Sequence, residues 1–402
     1  MAATLKSWVT SANAAGCEFP IQNLPYGVFS VAGGARRCGV AIGDMILDLA
    51  TCEERGLIDA QGSFSRPELN DFIALGRGIW TATRARLTEL LAEGGDETLP
   101  LVPMADATLH LPIRVTEFTD FYASKSHAFN VGVLFRGPEN ALPPQWTHMP
   151  IGYNGRASSV VVTGTPIRRP MGQVRGESGP EWIACRRLDL ELELGAIVGA
   201  DSVMGERVSV DQAEQMIFGY VLLNDWSARD IQAWEYQPLG PFQAKALGTT
   251  IGAWIVTAEA LEPFRSAGAP RDNDILPYLR ESRPGFYDLT VGWTMNGQQM
   301  ARTNYNVMYW SSAQQLAHHT ESGCPMRVGD LLGTGTISGP TPDQTGALLE
   351  MTQGGKTPVT VNGEARTFIQ DGDEIGLYAH AEGPGYRIGF GPCTGRILPA
   401  VE

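Results

Sequence analysis

The sequence predicts a mainly β chain with α insertions, an α+β fold. Three observations lead there. Runs of strand length recur from end to end, helical signals are fewer, and the two do not alternate in the regular βαβ order of a parallel sheet. No stretch repeats internally. The chain has 402 residues, punctuated by 47 Gly and 26 Pro. At about 150 residues per domain, that length suggests two to three units.

Residues 1–112 read as a small first domain and 113–402 as a large second one. In the first, strand-like runs at Tyr26–Val31, Arg37–Ile42 and 45–50 are separated by turns, and Leu47-Asp48-Leu49 alternates as a strand does. Ser65 before Arg66-Pro67-Glu68 predicts a helix start with Pro in the first turn. Residues 80–92 carry apolar side chains at helical spacing. No chemistry is visible in this part, so its expected role is packing or assembly. Beyond it, strands are expected over 158–163, 188–194, 218–224, 250–257, 289–295, 331–336, 348–352 and 374–381. Helices are expected over 209–216, 227–236 and 309–319.

Composition excludes several classes. The net charge of −14 repels phosphate backbones, which argues against nucleic acid as a partner. No run approaches 18 apolar residues, so no membrane span is expected. The N-terminus lacks a continuous apolar stretch of signal-peptide length. Six cysteines form no CxxC pair and are expected to be free and mostly buried, in a reducing compartment. Together these point to the cytoplasm. There is no GxGxxG and no HExxH. Glu350-Met-Thr-Gln-Gly-Gly-Lys-Thr357 resembles the end of a P-loop but has Glu350 where the first Gly belongs.

Several stretches carry chemistry. Leu188-Asp189-Leu190-Glu191-Leu192-Glu193-Leu194 alternates strictly, which in one strand puts the leucines on one face and the carboxylates on the other. Same-face neighbours stand about 6.5–7 Å apart. Such a face is either solvated or brings Glu191 and Glu193 to one hard cation. Asn224-Asp225 ends an apolar run, and Ser227 can cap the helix that follows. On that helix Arg229, Gln232 and Tyr236 share a face at i, i+3 and i+7, able to bind an oxygen-rich anion or simply to face water. Lys245 stands beside the turn Gly248-Thr249. Asp120, Tyr122, His127 and Arg136 cluster in sequence, and the imidazole suits general base work. Gly335-Thr336-Ile337-Ser338-Gly339 is a turn with hydroxyls, and Leu348-Leu349-Glu350 reads as a strand end whose acid could orient an imidazole. His318 and His319 are adjacent, cannot both face one metal, and read as structural.

Long, specific stretches then invite a comparison. Phe19-Pro-Ile-Gln-Asn-Leu-Pro-Tyr-Gly-Val-Phe-Ser30, Phe135-Arg-Gly-Pro-Glu-Asn-Ala-Leu142, Gly164-Thr-Pro-Ile-Arg-Arg-Pro-Met-Gly-Gln173, Asn224-Asp-Trp-Ser-Ala-Arg-Asp-Ile-Gln232 and residues 333–339 resemble the fumarylacetoacetase family. The resemblance runs from about residue 18 to 399. It implies a small N-terminal SH3-like barrel, a C-terminal β-roll domain, and a homodimer. It implies hydrolysis of a β-diketone acid, 4-fumarylacetoacetate, to fumarate and acetoacetate, the last step of tyrosine and phenylalanine breakdown.

The resemblance also assigns residues. Metal-binding carboxylates fall on Asp120, Glu191, Glu193 and Asp225, an all-oxygen set suited to Ca²⁺ or Mg²⁺. A second, Mg²⁺-type site falls on Asp225, Lys245, Gly248 and Thr249, where Lys245 is expected mainly to balance the crowded acids. The base falls on His127 and its orienting acid on Glu350. Substrate contacts fall on Tyr122, Arg136, Tyr153, Arg229, Gln232, Tyr236 and Thr336; spacing alone does not pick out Tyr153. Arg229, Gln232 and Lys245 are the candidates for stabilising an oxyanion. One departure is Phe129, two residues past the base where the family has Thr, which implies an altered pocket wall. Two rivals stand beside this reading. One is a related decarboxylase, hydratase or isomerase of another β-keto acid; the other is a non-catalytic Ca²⁺-binding protein.

Overall fold

The computed structural model describes residues 5–401. Its largest sheet has 13 strands and mixes both expected parts of the chain. Along its main path the order is Leu101–Pro103, Met45–Asp48, Arg37–Ile42, Tyr26–Val31, Trp254–Thr257, Ile217–Asp225, Leu192–Val198, Leu331–Gly333, Phe118–Phe121 and Gly152–Asn154. The path is open rather than a closed ring. Tyr26–Val31 joins the strands of the first 112 residues to Trp254–Thr257, pairing Gly27 with Trp254. A Cβ at Gly27 would come within 2.5 Å of the Trp254 ring, so only glycine permits that seam. A second sheet of six strands, including Thr290–Met295, Glu374–Gly383 and Cys393–Leu398, packs behind.

The central strand Ile217–Asp225 is buried along its whole length. Tyr220 and Leu222 enter one apolar core, while Val221 and Leu223 enter the other. Alternation of side chains thus divides two cores across one strand. Leu192–Val198 repeats the pattern, with Leu192, Leu194, Ala196 and Val198 in the first core and Ile197 in the second.

Most expected elements form, and the differences have local causes. The strand at 45–50 stops at Asp48, whose side chain accepts from Thr51 N and caps a helix over Leu49–Glu54. No helix starts at Ser65; the next is Asn70–Ala74, after a short 3-10 turn at Ser63–Ser65. The expected 80–92 helix is Arg77–Leu91. The 309–319 helix begins at Ser312, with Ser311 closing a capping box with Gln314. The 188–194 strand is broken: Leu188–Asp189 pairs with Ser227–Ala228, and Leu192–Val198 pairs with Ile217–Asp225. Ser227 is therefore strand, and its hydroxyl donates to Asp225 O rather than capping the helix Arg229–Glu235. Leu348–Met351 is a short helix, not a strand. The six cysteines are free, four of them buried. No helix among the described residues is long and apolar enough to cross a membrane.

Candidate active site

The large sheet delivers acids to one place. Asp120, Glu193 and Asp225 each lie on the strand face that carries the second core, continuing Phe118, Ile197 and Val221/Leu223 beyond its edge. Glu191 joins them from the break in the 188–194 run. The four side chains are buried and offer oxygens all within 4.8 Å of one another. Room for this depends on Gly333, paired with Asp120 on one side and followed closely by Glu193 on the other. A Cβ there would lie 2.7 Å from Asp120 Oδ1 and 3.0 Å from Glu193 Oε2.

Protein partners neutralise this cluster only in part. Lys245 Nζ donates to Glu191 Oε2 and lies 2.6 Å from Asp225 Oδ2. Tyr153, opposite Asp120 in the sheet register, donates its hydroxyl to Asp120 Oδ2 at 2.8 Å and Asp225 Oδ2 at 3.1 Å. Gly335 N donates to Glu193 Oε2 at 2.8 Å. Asp120 Oδ1 and Glu193 Oε1 are buried without any hydrogen-bond partner. Burial, and then the neighbouring carboxylates, push Asp120 and Glu193 well above the usual carboxylate range. Burial also raises Asp225, against the opposing pull of Lys245. Burial would raise Glu191 too, but Lys245, Arg229 and His127 outweigh it and hold that carboxyl at about 2. Two orphaned, buried carboxylate oxygens in a tight all-oxygen set fit a hard divalent cation.

Beside the acids lies a cavity of about 510 Å³. Asp120, Tyr122, His127, Arg136, Tyr153, Glu191, Arg229, Gln232, Tyr236, Lys245 and Thr336 all line it. His127 stands in the first turn of the helix Lys125–Arg136, capped by Ser124. Its Nδ1 is 2.7 Å from Glu350 Oε2, and its Nε2 is 3.1 Å from Thr336 Oγ1. Two more donors hold Glu350: Ser338 Oγ donates to Oε2 at 2.8 Å and Asn130 Nδ2 to Oε1 at 3.0 Å. Burial would raise the Glu350 carboxyl, but the His127 charge and these hydrogen bonds prevail and hold it below its ordinary value. An ionised Glu350 accepts from Nδ1–H, which leaves the Nε2 lone pair of the neutral imidazole at the cavity wall, where the Thr336 hydroxyl can donate to it.

Arg229 organises the neighbouring wall, reaching the same Glu191 Oε1 that lies 3.7 Å from His127 Nε2. Its Nε donates to Asp189 Oδ2 at 2.8 Å and its Nη1 to Gln232 Oε1 at 3.1 Å. Its Nη2 lies 2.9 Å from Glu191 Oε1, an ion pair rather than an aligned hydrogen bond. Because Gln232 Oε1 is occupied, its Nε2 hydrogens remain for a cavity ligand. Asp189 is therefore not part of the acid face that alternation suggested. It holds Arg229 and accepts from the backbone N–H of Leu348 at 2.8 Å and Leu349 at 3.0 Å.

Of the remaining expected residues, Thr249 donates to Asp225 Oδ1 at 3.1 Å, and Gly248 is buried against Ile167, both behind the cavity wall. Phe129 is 45% exposed and does not line the cavity, so its difference from the family leaves this wall unchanged. His319 bonds Thr119 and His318 bonds Tyr278, both away from the cavity. Sequence reasoning missed Asn130, Ser338 and Asp189 as supports. Asn130 follows His127 by three residues on one helix, so a shared face was the available signal.

Two family models match the chain. Fumarylacetoacetase N-terminal matches residues 22–112, and Fumarylacetoacetate (FAA) hydrolase C-terminal matches residues 116–398. The chain belongs to the fumarylacetoacetase family. Relatives named fumarylacetoacetase from Bos taurus and Homo sapiens are each 47% identical, over 96% of this chain and 97% of their own. The Arabidopsis thaliana relative of that name is 45% identical over 95% of this chain and 96% of its own. Among solved structures, a fumarylacetoacetate hydrolase from Exiguobacterium antarcticum shares the fold at a TM-score of 0.58 and 19% identity, covering 94% of this chain and 99% of that one. The fumarylacetoacetase fold here is accordingly sheet-rich with mixed α and β elements.

Proposed function

We propose that this hydrolase cleaves the carbon–carbon bond of 4-fumarylacetoacetate to give fumarate and acetoacetate, in tyrosine and phenylalanine breakdown. One observation carries the reading. Residues scattered from Asp120 to Thr336 line a single cavity beside the acid cluster, and Glu350 reaches it through His127. A β-diketone is the substrate class that suits such a site, because the departing fragment leaves as an enolate.

Asp120, Glu191, Glu193 and Asp225 would hold a divalent cation, Ca²⁺ or Mg²⁺. Bound there, it supplies Lewis acidity toward the diketone oxygens and positive charge beside the enolate. His127 Nε2 takes a proton from water, and Glu350 stabilises the imidazolium that results. The water oxygen bonds the ketone carbonyl carbon of the fumaryl group itself, which becomes the new carboxylate of fumarate while acetoacetate leaves as the enolate. Gln232 Nε2 and the cations of Arg229 and Lys245 face the oxyanion; losing one such donor typically adds about 2.7–4 kcal/mol to a barrier. The carbon–carbon bond then breaks, and the imidazolium returns its proton to the enolate carbon. Arg136, whose Nε and Nη2 are fixed on the carbonyls of Asn140 and Ala141, presents its remaining face to a terminal carboxylate, with Tyr122 and Tyr236 beside it.

The same reading extends to assembly. Residues 1–112 would form an SH3-like barrel domain and 113–402 a β-roll catalytic domain, paired as a cytoplasmic homodimer. Asp225, Lys245, Gly248 and Thr249 would form the second, Mg²⁺-type site, with Lys245 as its fixed positive charge.

The test is to follow the loss of the conjugated-diketone absorbance with purified protein. Parallel samples contain chelator, chelator with restored Mg²⁺ or Ca²⁺, or His127→Ala protein. The expected result is metal-restorable turnover to fumarate and acetoacetate that His127→Ala abolishes. Full activity after exhaustive metal removal would overturn the cation's role, and undiminished turnover by His127→Ala would overturn the base.

A further inference from the structure

A second cavity of about 590 Å³ adjoins the catalytic one, and Phe135 and Tyr236 wall both. Those two rings meet edge to face at 5.8 Å and form the partition. Arg175, Arg186 and Arg187 line the second cavity. Most arginines of this chain reach a carboxylate or a carbonyl, but among the described residues none of these three has an ion pair or a side-chain hydrogen bond. Two are instead held over aromatic faces, Arg175 at 5.7 Å from Trp234 and Arg187 at 5.8 Å from Phe368. Stacking fixes a guanidinium while leaving its N–H edge open to an anion. The one acid on the wall, Asp230, is occupied. Its Oδ1 accepts from Cys185 Sγ at 2.9 Å and Ile231 N at 3.1 Å, and its Oδ2 from Arg186 N at 2.7 Å.

Three unpaired cations therefore face one carboxylate, in a chain whose net charge of −14 repels anions in general. Local positive potential at a cleft raises the concentration of an anionic ligand there. The substrate and one product of the reaction proposed above are dicarboxylates. We propose that this second cavity is an outer anion subsite that binds a carboxylate of a small dicarboxylate, beside the catalytic cavity across the Phe135–Tyr236 partition. The identity of the ligand rests on the proposed reaction; the binding of dicarboxylates as a class does not.

The experiment compares wild type with R175Q/R186Q/R187Q in two arms. Calorimetric titration with fumarate at low ionic strength is expected to show affinity weakened about tenfold by the substitutions. In steady-state assays on fumarylacetoacetate, KM should rise about tenfold while kcat stays within twofold, and the difference should shrink in 0.5 M NaCl as the charges are screened. A change in both fumarate affinity and KM assigns the subsite to substrate entry as well as product; a change in fumarate affinity alone assigns it to product. Equal fumarate affinity and equal KM at every salt concentration overturn the proposal. If wild type turns over no fumarylacetoacetate, the proposed reaction fails, while the fumarate arm still judges the arginines. The side chains are exposed and Gln keeps most of the stem, so an unchanged melting temperature is expected. The R186Q/R187Q double variant repeats the test with a smaller change.

Discussion

Glu350→Gln removes a buried charge at almost constant size. Glu350 accepts from His127 and Ser338 on one oxygen and from Asn130 on the other. An amide can keep its carbonyl toward His127 and Ser338 if its NH₂ turns to Asn130, whose own amide then flips to accept. The tautomer of His127 survives, and what is lost is charge. When His127 takes the proton of water, a carboxylate about 4 Å from the imidazolium centre stabilises it by roughly 4 kcal/mol at an effective dielectric of about 20. At 1.36 kcal/mol per decade, that is about a thousandfold in rate. The expected outcome is kcat lowered about a thousandfold with KM nearly unchanged, measured by loss of diketone absorbance. A kcat within tenfold of wild type would refute the idea that Glu350 stabilises the imidazolium. Stability gives a second readout. The native Glu350 carboxyl lies below its ordinary value, so its contribution is full above about pH 4.3 and is lost as pH falls through the lower native value. The stability gap between wild type and variant should therefore close below about pH 4.

Other outcomes follow from the same geometry. Adding a divalent ion to chelated protein at about 100 times its Kd should stabilise it by roughly 2.7 kcal/mol, seen as a rise in Tm of several degrees. At one fixed ion concentration the rise should be larger at pH 8 than at pH 5, because protons held by Asp120 and Glu193 compete with the ion; no rise at either pH would remove the acid cluster as a cation site. Tyr153→Phe strips a donor from Asp120 and Asp225, and calorimetry should show the divalent ion bound about tenfold more weakly, with equal affinity counting against the assignment. Glu235 accepts the N–H groups of Phe242, Gln243 and Ala244 at 2.8–3.1 Å, pinning the segment that carries Lys245. Glu235→Ala should speed amide exchange at 242–244 and lower kcat; unchanged exchange would show that the clamp is idle.

How much of this was legible depends on how far away each cause lies. Tyr26–Val31 and Arg37–Ile42 form as read, since their turns and alternation are local. The 188–194 run is broken rather than continuous, which its sequence does not reveal because one alternating pattern serves both kinds of strand equally; Glu191 and Glu193 still meet in one acid cluster, while Asp189 turns away to Arg229. The break is set by tertiary partners: Glu191 N donates to Asn224 Oδ1, and Leu192 N to Gly346 O. The helix at Leu348–Met351 was misread for a related reason. Its first N–H groups are served by Asp189, a cap 159 residues away, so no capping residue precedes it in sequence. Glu235 does the same for Gln243–Ala246, which has no side-chain cap of its own. The chemical residues were easier to find, because a cation, an imidazole and clustered acids are rare enough to stand out before their contacts are known. Their supports, Asn130 and Ser338, are ordinary polar residues that only the fold distinguishes.

The acid cluster shows why such a site needs the whole sheet. Four buried carboxylates with Lys245 as the one ammonium among them leave negative charge that burial penalises, visible in the raised Asp120, Glu193 and Asp225. Nothing in any single strand would hold them together. Asp120 and Glu193 approach because the strand between them contributes Gly333, the one residue type whose missing side chain leaves their oxygens room. Tyr153 then faces Asp120 because Gly152–Asn154 pairs in that register and no other. A one-residue slip in either pairing would turn Asp120 or Tyr153 to the opposite face. The same pairings that build the hydrophobic layers therefore also set the cation site, and the repulsion among the acids is borne by the burial of the strands beneath them.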